Sequence, residues 1–173
     1  MKPLTSSFLL MCLCVPLAAG EIDQKRRVKE AAQAMADAFF KADFEKFARY
    51  TNPLLLKEVG GRDEMIAGLK AGLADMKARG VEIRSYQVAE PSSLAGEGKD
   101  RFAIVPTTLV MTLPGTKVTM NSCLIGASED AGKTWTFLDG AKATPQTIRK
   151  FLPNFPETLK LPAQQPPLVE KTR

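Results

Sequence analysis

The sequence contains no histidine in its 173 residues. That removes, together, the commonest general base near neutral pH and the commonest transition-metal ligand. Serine–histidine and cysteine–histidine nucleophilic mechanisms are excluded with it. Cysteine is scarce as well: Cys12 and Cys14 fall within the first twenty residues, and Cys123 stands alone in the remainder. A chain that has shed those twenty residues can form no intramolecular disulfide, so its stability must come from a hydrophobic core. Cys123 also has no cluster of partners with which to hold zinc. Gly60-Gly61, Gly96 and Gly98 are not in phosphate-loop spacing ahead of Lys-Ser or Lys-Thr, which leaves nucleotide binding without support. No cofactor and no metal are expected.

Long apolar runs are lacking too. Phe8 to Val15 falls well short of the roughly 20 residues that a membrane-spanning helix needs, and no later segment comes closer, so no membrane anchor is expected. With Lys2 before it, Pro16 after it and Ala18-Ala19-Gly20 as a small-residue exit, this run reads as a cleavable secretory signal over residues 1–20. The mature protein is expected to be soluble and exported, periplasmic or extracellular, after cleavage near Gly20. Charge of one sign is not concentrated anywhere. The formal net charge is +5, with 24 Lys and Arg interleaved among 19 Asp and Glu, and Lys25-Arg26-Arg27 is the only basic run. That run reads as the solvated entry to a first helix, and nucleic acid is not an expected partner.

What the sequence does have is a change of period. From Gln24 to Ala42, Val28, Ala31, Ala32, Met35, Ala38 and Phe39 recur at helical steps and predict an amphipathic helix. Asp43 caps a second, short helix carrying Phe44, Phe47 and Tyr50, and Asn52-Pro53 opens a third that Gly60-Gly61 ends. Asp63 opens a longer helix with the stripe Met65, Ile66, Leu69, Leu73 and Met76, closed by Gly80. Arg62-Asp63-Glu64 is that helix's start, its acids near the positive end of the dipole, rather than a catalytic dyad. Beyond Gly80 the period falls to two. Strands are predicted from Val81 to Val88, Arg101 to Leu113, Lys117 to Ala127 and Thr134 to Asp139, with a polar loop over Ser92 to Lys99. Pro114-Gly115 joins two of them as a tight turn, which implies antiparallel pairing. Pro106 cannot donate a ladder hydrogen bond and marks an edge position, a bulge or, preferably, a bend. Thr144-Pro145 opens a short terminal helix. Pro153, Pro156, Pro162, Pro166 and Pro167 then punctuate a tail in which Leu159 and Leu161 could strap onto the domain and 164–173 is expected to be disordered.

The whole reads as an α+β domain over residues 21–152, followed by the Pro-rich tail 153–173. The Ala32-Gln33-Ala34-Met35-Ala36-Asp37-Ala38-Phe39-Phe40 helix, the Asp43-Phe44-Glu45-Lys46-Phe47 helix and the closing strand Trp135-Thr136-Phe137-Leu138-Asp139-Gly140 resemble those of the nuclear transport factor 2-like superfamily. This group has a cystatin-like cone fold and includes ketosteroid-isomerase-like and SnoaL-like proteins. The resemblance implies helices packed in a curved antiparallel sheet that encloses a pocket. Superfamily members use such pockets for isomerases, dehydratases, non-catalytic ligand binding and accessory domains, so fold alone selects none of these.

Ser128-Glu129-Asp130-Ala131-Gly132-Lys133-Thr134-Trp135 resembles the Asp-box of sialidase propellers. One copy cannot build a propeller, so it predicts a well-made hairpin. Trp135, Phe137 and Asp139 alternate onto one strand face, which would stand Asp139 beside aromatic walls. The plainer alternative is that Asp139 only hydrogen-bonds its own turn. Tyr50 could point its hydroxyl into a cavity. On the Lys117 strand, Asn121 and Cys123 face one way and Met120, Ser122 and Leu124 the other, and the sequence leaves open which set is inside. Pocket candidates are therefore Tyr50, Asn121, Cys123, Trp135, Phe137 and Asp139. The leading expectation is a non-enzymatic binding or accessory domain for a small apolar molecule or peptide, monomeric or homodimeric. The alternatives are a cofactor-independent lyase, isomerase or hydrolase using a carboxylate such as Asp139 with Tyr50, as the superfamily's isomerases do, and a dimerising interaction module.

Overall fold

The computed structural model describes residues 17–141 and 143–172, with side chains from residue 20 onward. The predicted signal core, Phe8 to Val15, lies outside the described residues. Helix α1 (Leu17–Phe40) begins before the predicted start. Within it the basic run is solvated: Arg26 pairs with Asp23 and Glu30, and Arg27 with Asp23, at exposed helical spacings. The chain breaks out of α1 at Ala42, which takes a positive φ of 55°.

Helix α2 (Phe44–Arg49) is capped by Asp43, whose side chain accepts from the Lys46 amide. Helix α3 (Pro53–Glu58) is capped by Asn52, which accepts from the amides of Leu54 and Leu55. Gly60 and Gly61, at φ 93° and 104°, supply the left-handed backbone that a side chain would resist, and helix α4 (Arg62–Ala78) follows with Asp63 and Glu64 in its first turn. The strands are β1 (Glu82–Val88), β2 (Ser93–Ala95), β3 (Arg101–Leu113), β4 (Thr116–Ser128) and β5 (Thr136–Asp139), then helix α5 (Pro145–Phe151), capped by Thr144, and β6 (Leu168–Lys171).

The six strands form one open antiparallel sheet and the fold is α+β. β3 and β4 pair along their whole length, from Arg101 opposite Ser128 to Leu113 opposite Thr116. The outer edge of β3 is shared between β1, opposite Thr107 to Thr112, and β2, opposite Phe102 to Ile104. Pro106 sits at the changeover. Its carbonyl accepts from the Ala89 amide, so its nitrogen faces the β1/β2 edge and the missing N–H removes nothing from the β3–β4 ladder. Of the positions predicted for Pro106, the edge-facing one is found. The outer edge of β4 is likewise shared, with β5 opposite Leu124 to Ala127 and β6 opposite Thr116 to Thr119.

Two segments differ from the sequence reading. Within the predicted polar loop, Ser93–Ala95 pairs as β2, and within the predicted disordered tail, Leu168–Lys171 pairs as β6. Every residue of β6 is exposed. It is held by backbone pairing and the surface ion pair Lys117–Glu170 rather than by burial, so no apolar pattern announces it.

At one end the sheet is buried on both faces. Ala103, Val105, Leu124, Trp135 and Phe137 meet Val28, Ala32 and Met35 of α1. Phe102, Ile104, Cys123, Ile125 and Leu138 meet Ile148, Phe151, Leu152 and Leu159 on the opposite side. A strand covered twice has no reason to alternate, which is why Phe102–Val105 reads as an unbroken apolar run. Gly126 sets the spacing between α1 and the sheet: a Cβ there would lie 3.1 Å from Phe137, 3.3 Å from Trp135 and 3.3 Å from Val28.

The β4–β5 hairpin is closed by side chains. The Asp130 carboxylate accepts from the amides of Lys133 and Thr134 at 3.0 and 2.9 Å and from the Thr134 hydroxyl at 2.7 Å. Ser128 Oγ accepts from the Gly132 amide, and Trp135 Nε1 donates to the Gly132 carbonyl at 3.1 Å. These bonds, led by the Thr134 amide and hydroxyl, hold the Asp130 carboxyl far below the usual carboxylate range.

Two consequences can be measured. Gly126→Val overpacks the α1–sheet contact and is expected to lower unfolding free energy by roughly 1–3 kcal/mol in urea melts; an unchanged midpoint would show that α1 does not press on the sheet there. Because the folded Asp130 releases its proton more readily than an unfolded carboxyl, its stabilisation is present above the unfolded value of 3.8 and fades as pH falls below it. The stability gap between wild type and Asp130→Ala, followed by denaturation from pH 6 to pH 2, should therefore shrink towards the acid end.

Candidate functional site

On the α1 face, beyond the tight contact at Gly126, sheet and helices separate around a cavity of about 260 Å³. The register builds its floor. Tyr86, Leu109 and Met120 form one row across β1, β3 and β4; Thr107 and Ser122 form the next; Leu124 and Asp139 form a third across β4 and β5. Met35 and Phe39 of α1, Phe47 of α2, Leu55 of α3, and Met65 and Leu69 of α4 supply the opposite walls, with Thr51, Phe137 and Ala141 completing the lining. The α2–α3 junction is tied to the sheet by main chain: Phe137 N–H donates to the Tyr50 carbonyl at 2.7 Å and Asn52 N–H to the Phe137 carbonyl at 3.0 Å.

The polar groups in this wall are few. The Ser122 hydroxyl is buried and has no hydrogen-bond partner. Thr51 is spent internally, its hydroxyl donating to the Phe47 carbonyl. Tyr86 packs edge-on against Phe39, with centroids 6.0 Å apart. Burial pushes its phenol up to about 12, with the Asp139 charge adding to the effect and Thr107 opposing it. Tyr86 is thus a protonated hydrogen-bond donor across the physiological range. Asp139 is exposed, at the rim, where its Oδ1 accepts from the Ala141 amide at 2.9 Å. It accepts from its own turn and also lines the cavity.

The other predicted pocket residues are dispersed. Phe137, almost fully buried, is a cavity wall. Trp135 is buried in the α1 contact and bonded to its own hairpin, away from the cavity lining. Tyr50 packs beside Phe47 on the same cluster but is not part of the lining. Asn121 and Cys123 lie on the opposite face of the sheet, because Met120, Ser122 and Leu124 occupy the cavity side, and both line a separate groove there beside Pro162 and Gln165 of the tail. Asn121 accepts there from the Thr108 hydroxyl. Cys123 is 2% exposed among Phe102, Ile125 and Leu138, and burial, with the Asp139 charge, raises its thiol to about 11. That is an inert core thiol. Gly140 packs so closely on it that a Cβ would lie 2.4 Å from the Cys123 sulfur.

Tyr86 and Ser122 line the cavity but were not among the pocket candidates the sequence offered. A signal for Tyr86 existed: the apolar step from Ile83 to Tyr86 breaks strand parity, and the structure places a register shift between Ile83 and Ser85. The shift turns Tyr86 onto the cavity face. Among the described residues no cluster of His, Cys, Asp or Glu could hold a metal ion, and no helix is long and apolar enough to cross a membrane. Comparison with protein-family models, with curated proteins and with solved structures finds no match.

The raised phenol has a stability consequence. The folded chain holds the Tyr86 proton more tightly than the unfolded value of 10.0, so this stabilisation is complete below pH 10 and is lost as pH rises towards about 12. Tyr86→Phe is expected to flatten the alkaline fall in stability over that window, measured by urea midpoints at stepped pH. An equally steep fall in the variant would mean that Tyr86 is not desolvated.

Proposed function

We propose that this chain is a non-enzymatic exported binding or accessory domain whose cavity takes a small, largely apolar molecule, and that its fold is the nuclear transport factor 2-like cone. The observation that carries the binding reading is the cavity itself. Aliphatic and aromatic walls converge from four helices and four strands, and one buried hydroxyl, Ser122 Oγ, is left without a partner. An apolar concavity with a few convergent polar groups is what small-molecule recognition requires, and an unpaired buried hydroxyl costs about 1–3 kcal/mol unless something bonds it. A ligand oxygen or nitrogen would do so. The cone reading is supported by the order of elements and by α1 lying against the same sheet face that floors the cavity. Export rests on residues 1–20 of the sequence.

One observation favours the enzyme alternative. A carboxylate and a phenol kept protonated by burial line the same cavity, as Asp139 and Tyr86, and such a pair can act as proton acceptor and oxyanion donor. The tyrosine of that reading is Tyr86, not Tyr50. The rim exposure of Asp139 supports binding over catalysis, since water reaches the carboxylate and is not excluded from it.

Methionines make the cavity directly observable. Met35, Met65 and Met120 line it, whereas Met76 and Met111 do not. With methyl-labelled methionine, 2-phenylethanol is expected to shift the first three resonances saturably and leave the other two in place. Uniform shifts, or none, would overturn the binding reading.

A further inference from the structure

The charge of the cavity wall narrows the ligand class, an inference that rests on the binding reading above. Among the described residues Asp139 is the only charged group in the lining, and its described neighbours there are all neutral. None of the described ion pairs of the protein involves Asp139. One of its oxygens accepts from the Ala141 amide, and the other has no hydrogen-bond partner among the described residues.

The aromatic residues of the same wall are grouped. Phe39 lies 5.7 Å from Phe47 and 6.0 Å from Tyr86 between ring centroids, tilted to one and edge-on to the other. Phe137 lines the cavity as well. Aromatic faces carry negative potential and attract a cation held over them. The one unpartnered buried hydroxyl, on Ser122, can accept from an N–H as readily as it can donate. The rings and the carboxylate offer negative charge and the Ser122 hydroxyl lone pairs; the Tyr86 phenol is a neutral donor, and no described lining residue carries a positive charge. An anionic ligand would meet the Asp139 charge, which no described lining residue offsets.

We propose that the cavity binds an apolar organic cation, an amine in its ammonium form, with its hydrocarbon body among the methionines and aromatic rings and its nitrogen towards Asp139. The volume sets the size. At about 260 Å³, the cavity lies near the lower end of the range of small-molecule pockets, which favours a compact arylalkylamine or a short alkylamine.

The test compares three probes of nearly one shape: 2-phenylethylammonium, neutral 2-phenylethanol and anionic phenylacetate, each titrated at pH 7 into the exported protein while the Met35, Met65 and Met120 methyl resonances are followed. The ammonium is expected to bind at least tenfold more tightly than the alcohol, with phenylacetate weakest. Asp139→Asn, whose amide oxygen can still accept from Ala141, should bring the ammonium-to-alcohol ratio close to one. Alcohol binding equal to or tighter than ammonium binding overturns the charge inference while leaving the binding reading in place. A tenfold preference that survives Asp139→Asn overturns the assignment to Asp139. If no probe moves the three methyls, the binding reading falls and this inference with it.

Discussion

In β3 and β4 the backbone is paired from Arg101 and Ser128 to Leu113 and Thr116, and because strand side chains alternate between faces, this one register decides what each side of the domain can do. Ala103, Val105, Thr107 and Leu109 look one way with Gly126, Leu124, Ser122 and Met120; Phe102, Ile104 and Pro106 look the other way with Ala127, Ile125 and Cys123. A slip of one residue would exchange the cavity floor for the core beneath α5. Burial on both faces at one end of the ladder prevents such a slip, since either face would lose its apolar partners.

The position of the cavity follows from where α1 is allowed close. At Gly126 the absent side chain lets Val28, Trp135 and Phe137 fill the gap between helix and sheet. Further along, Met35 and Phe39 stand over Thr107, Leu109 and Met120, and the space left between them is closed laterally by α2, α3 and α4 rather than by α1 itself. The wall of α4 is contributed by Met65 and Leu69, on a helix that begins after two left-handed glycines. A close contact at one end and a multi-helix roof at the other make a wedge, and the unfilled part of the wedge is the cavity.

Chemically, the wedge is sparse. It presents soft thioether and aromatic surface, the Ser122 hydroxyl, a phenol that burial keeps protonated and one rim carboxylate. Met and aromatic walls adapt to varied apolar shapes, so on the proposed binding reading selectivity falls to the few polar groups and above all to the sign of the charge at the mouth.

Helix caps at Asp43, Asn52 and Thr144, the glycine break at Gly60-Gly61, the long strands and the Asp130 turn were all legible in the sequence, because each is decided by neighbours a few residues away. So was the shared orientation of Trp135, Phe137 and Asp139. The edge strands β2 and β6 were not, since their pairing is by main chain with little or no burial to pattern them. The same limit governed the site. Alternation placed Asn121 and Cys123 on one side of β4 and Ser122 on the other, but which side faces α1 depends on packing between segments far apart in the chain. Tyr86 entered the cavity through a register shift that only pairing with β3 defines, and Tyr50 left it because its segment is drawn to the edge of β5. Local physics determined the elements and their alternating faces; the tertiary structure decided which faces meet, because burial is a property of two surfaces and the sequence shows them one at a time.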